Sequence, residues 1–260
     1  MTGQIPTKIN LLLKQWPEGT VATNKWLGSQ GVYRQLAEQY VKSGWLERID
    51  RGVFMRAGST VDWLGAVYAL QKQLGLDVHV AGETALSLRG LGHYLPLGTG
   101  YQVCLFGAPR LRLPKWFTQH DWGVRVAYHG PNLFAGYGDA GFVDIDRRGF
   151  VVKAAAPERA IMEAMHLATT NHALDHAVEL HKGLTTLRPD VVQSLLEACT
   201  SVKVKRLFLW ASEECDHSWL RRVDTSRVAL GSGKRALYKG GKLNGKYGIT
   251  VPADEELPDV

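Results

Sequence analysis

Cysteine is scarce in this chain, and the three residues present cannot work together. Cys104, Cys199 and Cys215 are far apart, odd in number, and form no Cys-x-x-Cys pair. This argues against a disulfide framework or a zinc ribbon and reads as a reduced, cytoplasmic protein. Long apolar runs are missing as well: none approaches the ~18 residues that a membrane span needs, and none follows the first Met. Catalytic signatures are equally thin. There is no Gly-x-Ser-x-Gly elbow and no setting for a Cys/His nucleophile. Gly231-Ser232-Gly233-Lys234-Arg235 imitates a phosphate loop, but Val228 stands where its first glycine belongs and Arg235 where a magnesium-binding Ser or Thr belongs. His172 and His176 are four apart with His181 five further on, yet no Glu follows His172 to complete a zinc motif. Asp144 and Asp146, beside Arg147 and Arg148 in a turn, read as surface ion pairs. The expectation is a protein that is not an enzyme and has no metal and no cofactor.

What is present is positive charge, unevenly distributed. The formal net charge of the 260 residues is +6. Residues 1–60 carry eight basic and four acidic side chains, residues 61–200 twelve and thirteen, and residues 201–250 eleven and four. The last ten carry four acids and no base. Two basic blocks around a near-neutral middle point to a polyanionic partner.

The first block coincides with a recognisable pattern. Thr23 can cap a short helix whose apolar side is Trp26 and Leu27. Gly28-Ser29-Gln30-Gly31 breaks it, with Gly31 suited to a positive φ. A second helix follows, with Val32, Leu36, Gln39, Tyr40 and Ser43 on or near one face and Tyr33, Arg34, Gln35, Glu38 and Lys42 on the other. Gly44 ends it, Trp45 and Leu46 turn toward the core, and Glu47–Met55 forms a hairpin around Asp50-Arg51-Gly52. Helix, turn, helix and basic-tipped hairpin make a winged helix-turn-helix. Docked in a major groove, it would offer Arg34 to guanine and Gln35 or Gln30 to adenine. Tyr33 would meet a sugar or a thymine methyl. Ser29 and the helix amides would hold a phosphate with Lys25 and Lys42 nearby, and Arg48 and Arg51 would reach the backbone from the wing.

The rest of the chain reads as helix over Ile9–Trp16, Asp62–Leu74 and Gly82–Leu91, then strands near 101–106 and 124–129 and a hairpin over 141–153. Helices are expected over 158–169, 173–183, 189–199 and 202–215. The fold expected is α+β: a winged helix-turn-helix domain at 1–60, a larger mixed α+β domain at 61–250, and a disordered acidic tail at 251–260. Lys203, Lys205, Arg206, Lys234, Arg235, Lys239, Lys242 and Lys246 form an expected second basic surface.

Several stretches together resemble the AbiEi antitoxins of type IV toxin–antitoxin systems. They are Gly44–Ile49 running into Arg51–Phe54, Gly82–Pro96, Pro157–Ala160, Ser201–Phe208, Leu230–Arg235, Gly240–Lys242 and Lys246-Tyr247. The resemblance implies a repressor that binds double-stranded DNA at inverted repeats in its own operator. It also implies that the C-terminal domain counteracts a nucleotidyltransferase-like toxin without a stable complex. Two readings from the residues stay open beside it. One is an RNA- or nucleotide-directed protein that uses the C-terminal basic surface; the other is a transcription factor with a ligand-sensing second domain.

Overall fold

A computed structural model describes residues 7–92, 101–135, 141–147 and 149–253. Numbered along the chain, its elements are α1 (Lys8–Gln15), β1 (Ala22–Thr23), α2 (Asn24–Ser29), α3 (Arg34–Lys42), β2 (Leu46–Asp50), β3 (Val53–Arg56) and α4 (Trp63–Tyr68). They continue through β4 (Val78–Val80), α5 (Gly82–Ser87), β5 (Gln102–Gly107), α6 (Lys115–Gln119), β6 (Arg125–His129), β7 (Phe142–Arg147) and β8 (Phe150–Ala155). The remainder are α7 (Pro157–Leu167), α8 (Asn171–Lys182), α9 (Pro189–Ala198), α10 (Val202–Glu214), β9 (Lys242–Asn244) and β10 (Ile249–Val251). The class is α+β, as the sequence indicates. Arg148, His93–Pro96 of the resemblance and the acidic stretch from residue 254 lie outside the described residues.

Contacts gather the chain into two units. Met1–Val80, Pro96–Gly130 and Asp144–Ala154 form the first; Ala81–Leu95, Pro131–Val143 and Ala155–Val260 form the second. This division differs from the one expected at residue 60, and the first unit's hydrogen bonds give the reason. Its amino-terminal part is a winged helix: Ile9, Leu12 and Trp16 of the first helical stretch pack with Ala22, Leu27, Val32, Ala37, Leu46 and Phe54. β1, β3 and β2 lie side by side in that order, so the hairpin is anchored on a third strand.

The segment after α4 ties this core to a second sheet. Ala69–Gln73 continues α4 as a π-helical turn, so the expected single helix is irregular in its second half. Gln73 is buried there; its side chain donates to the Val21 carbonyl at 2.6 Å and accepts from the Thr23 amide at 2.8 Å. Gln71 donates to the carbonyls of Val78 and Lys153 and accepts from the Lys153 amide. One turn thus fixes β1 on one side and two strands of the five-stranded sheet β6-β5-β4-β8-β7 on the other. Its middle strand, β4, runs antiparallel to β5 and parallel to β8.

The second unit is mainly helical, with the β9–β10 hairpin at its end. Its interior holds charge as well as apolar surface. Glu158 is buried; burial alone would raise its pKa, but three hydrogen bonds from Arg188 keep it below the ordinary carboxylate value. Glu163 accepts from Arg159 at 2.8 Å and from the Gly82 amide at 3.0 Å. The Arg159 guanidinium also stacks on Phe134 and Phe142, 4.5 and 4.2 Å from the ring centres. His181 is fully buried against Phe208, His217 and Trp219. Ser212 donates its hydroxyl proton to the Phe208 carbonyl, so it receives one from His181 Nε2 at 2.9 Å.

Gln73→Ala strands a buried carbonyl and amide, so urea denaturation should show a loss of about 2–4 kcal/mol. Burial, with a smaller contribution from His217, holds the His181 pKa down to about 3 from an ordinary 6.5. The unfolded chain therefore takes up a proton that the folded chain refuses. The stability tied to this neutral imidazole is complete above about pH 6.5 and falls by roughly 1 kcal/mol per pH unit as pH drops toward 3. His181→Phe should flatten that slope in denaturation measured from pH 7 to pH 4.

Candidate nucleic-acid interface

The geometry of the amino-terminal helices follows from a few residues. Thr23 caps α2 by accepting from the Trp26 amide. Gly31 takes φ +70° at the turn into α3, a conformation that favours glycine. α3 buries Ala37 and packs Leu36, Tyr40 and Val41 inward, so the inward stripe includes Ala37 and Val41, while Gln39 and Ser43 face solvent. Helix α3 starts at Arg34, with Tyr33 at its N-cap rather than within it. Trp45 is a further correction: its indole is 47% exposed. Leu46 alone fills the core where the chain leaves α3.

The outward face of α3 presents Tyr33, Arg34, Gln35, Gln39 and Lys42 to solvent, and Tyr33 is 69% exposed. The wing tip is tied back to α2 by the Asn24 amide, which donates to the Gly52 carbonyl at 2.8 Å. Gly52 takes φ +77°, a conformation that favours glycine, and a Cβ there would also crowd the Asn24 side chain. This places exposed Arg51 at the tip of a tethered hairpin. Arg34, Lys42 and Arg51 make no ion pair among the described residues.

Four of the expected contacts, Arg48, Lys25, Ser29 and Gln30, are already engaged inside the protein. Arg48 pairs with Glu38 of α3 and lies over the Phe54 ring, 5.4 Å from its centre. The Arg48 hydrogen bond is the main cause of the lowered Glu38 pKa. The pair braces the wing against α3 instead of leaving Arg48 open to a phosphate. Lys25 donates to the Leu74 carbonyl at 3.3 Å. Ser29 donates to the Trp26 carbonyl and accepts from Gln30, closing the end of α2.

The expected second basic surface is divided by burial. Arg206 is 5% exposed, and its guanidinium donates to the carbonyls of Leu230, Gly231, Gly233 and Gly248. Lys205 is equally buried. Lys203 donates to the carbonyls of His166 and Ala168 at the end of α7, and burial lowers its pKa. Arg206 and Lys203 stabilise the fold by satisfying the second unit's own backbone carbonyls, and Lys205 is withdrawn from the surface by burial. Lys246 pairs with Glu213, which also accepts from the Tyr247 hydroxyl at 2.6 Å. Lys234, Arg235, Lys239 and Lys242 are exposed. The histidines do not converge: His172 is exposed, His176 lies 2.9 Å from Glu83, and His181 is internal. Among the described residues no group of three or more His, Cys, Asp or Glu could hold a metal ion, and no helix is long and apolar enough to cross a membrane.

Two helices joined by a glycine turn, with a tethered hairpin and a cationic outer face, define the winged helix-turn-helix class. Within it, the chain belongs to the AbiEi antitoxin family of type IV toxin–antitoxin systems. A family model described as "Transcriptional regulator, AbiEi antitoxin, Type IV TA system" matches residues 101–252, and the model for the AbiEi antitoxin N-terminal domain matches residues 6–97. The fold is also similar to the crystal structure of the RV2827C protein from Mycobacterium tuberculosis. That similarity has a TM-score of 0.55 at 15% identity and covers 95% of this chain and 92% of that one. No curated protein matches the sequence.

Arg206→Lys keeps the charge but cannot reproduce a planar fork that reaches four carbonyls. It should cost roughly 2–4 kcal/mol, with faster amide exchange across residues 230–250 in hydrogen-exchange mass spectrometry.

Proposed function

We propose that this protein is a DNA-binding autorepressor and antitoxin. Its α3 enters the major groove of its own operator, and its C-terminal half counteracts a nucleotidyltransferase-like toxin without a stable complex. The observation that carries the first half is the outward face of α3. There Arg34 and Lys42 are exposed cations that form no ion pair among the described residues, flanked by the amides of Gln35 and Gln39, and Arg51 stands at the tip of a wing held in place from behind. Arginine and glutamine pair bidentately with guanine and adenine edges, which is the chemistry of major-groove reading. The support for the second half is membership of the family. Operator binding places the protein in the cytoplasm, and the reading asks no catalytic chemistry of the chain.

Within this reading the DNA contacts are Tyr33, Arg34, Gln35, Gln39 and Lys42 from α3, Gln30 from the turn and Arg51 from the wing. Arg48 becomes the brace that holds the wing to α3. A winged helix monomer reads one half-site, so inverted repeats imply two copies related by a twofold axis.

The test is binding of the full chain to the DNA upstream of its own reading frame. Arg34→Ala should cost about 1–3 kcal/mol at the operator and relax specificity at one base pair. Arg51→Ala should weaken all sequences alike and lower the salt slope by about one. In cells carrying the toxin, the double variant should lose repression of a reporter and keep its protection. Unchanged operator affinity in that variant would refute this placement of the interface.

A further inference from the structure

The first helix carries a lysine that local electrostatics does not explain. Lys8 is the first residue of α1, next to the N-cap Thr7, whose side chain makes no capping bond, and the first turn holds no acidic residue. A cation there opposes the positive end of the helix dipole, whereas Lys14, in the last turn, suits its own end. A residue that breaks a local rule invites another reason for its place.

The position of its ammonium supplies one. Lys8 Nζ stands 3.2 Å, and Cε 3.5 Å, from where a Cβ would be on Gly31. The side chain therefore lies across the glycine of the α2–α3 turn, two residues before the N-cap of α3. A Cβ on Gly31 would crowd the ammonium by only a few tenths of an ångström, so the lysine lies directly against the turn. Lys8 is exposed and makes no hydrogen bond or ion pair with the described residues. Its three N–H donors remain available beside the amino end of the recognition helix.

We propose that Lys8 is a phosphate contact, holding a phosphodiester of the duplex whose major groove receives α3. The inference rests on the DNA-binding reading above and adds a residue from outside the helix-turn-helix to it. Because the ligand is the backbone, the contact serves any sequence and contributes counterion release rather than base recognition.

The experiment measures the salt dependence of the affinity of the full chain for two duplexes of equal length, one from upstream of its reading frame and one of random sequence. Lys8→Gln should lower the slope of log K against log salt by about one on both duplexes. Lys8→Arg should keep the slope, and so should Lys14→Gln, which removes the same charge from the other end of α1. Thermal unfolding of Lys8→Gln should come at the parent's temperature or slightly above it, because the substitution removes a cation from the positive end of the helix dipole. An unchanged slope in Lys8→Gln, or an equal fall in Lys14→Gln, would overturn the assignment and leave the DNA-binding reading standing. Absence of binding to either duplex by the parent protein would overturn both.

Discussion

The first unit depends on two glutamines in one irregular turn. Gln71 and Gln73 lie two residues apart, which on a helix sends their side chains in nearly opposite directions. The π-helical turn places one amide between β4 and β8 and the other against β1. A side-chain amide both donates and accepts, so each can complete an interrupted backbone ladder as another strand would. The winged helix is therefore held by its third strand to a sheet drawn from residues far along the chain. Stranding those backbone groups away from water would carry the full cost of unmet hydrogen bonds. This explains why contacts group the winged helix with residues beyond 60.

The same accounting of partners decides which charges can act outside the protein. Formal charge along a sequence counts Arg206 and Arg34 alike. One is enclosed by four carbonyls and the other is exposed on α3. Arg48 falls between them: exposed in part, it is paired with Glu38 and positioned over Phe54. An exposed pair of this kind adds little stability. It does, however, fix the angle between wing and helix and cancels a carboxylate that would otherwise repel phosphate.

Much of this was legible in the sequence, and the misses have physical causes. The long periodic helices from residue 157 onward, the two hairpins and the glycine turn at Gly31 follow from local rules that tertiary packing does not oppose. β4 was not legible because Val78, His79 and Val80 are too few to show a period, although they form the centre of a sheet. The usual burial of aromatic rings points Trp45 into the core, but Leu46 fills that place and the indole stays exposed. The basic block at 203–206 is not legible as buried, because its carbonyl partners are remote in sequence: those of Arg206 lie 24 to 42 residues further along the chain and those of Lys203 lie 35 and 37 residues before it. On α3 the 3.6-residue period places Tyr33, Arg34, Gln35 and Lys42 outward, as they are in the structure, but it also puts Gln39 and Ser43 inward, where Ala37 and Val41 pack instead.

Those distant carbonyls also bear on the C-terminal half. Two stretches of the resemblance to the antitoxin family, Ser201–Phe208 and Leu230–Arg235, meet in the structure, because Arg206 of the first grips the backbone of Leu230, Gly231 and Gly233 in the second. A third, Pro157–Ala160, supplies the internal ion pairs of Glu158 and Arg159. At these positions the motif is a folding device, and its polar groups are consumed by the fold. Chemistry directed outward must then come from side chains that these devices display. On the glycine-rich segment that Arg206 holds, Lys234 and Arg235 are exposed, with Lys239 a few residues beyond. The glycine-lysine run that imitates a phosphate loop thus has a simple physical reading: glycines let the backbone wrap a buried arginine, and the basic residues after them point away from it.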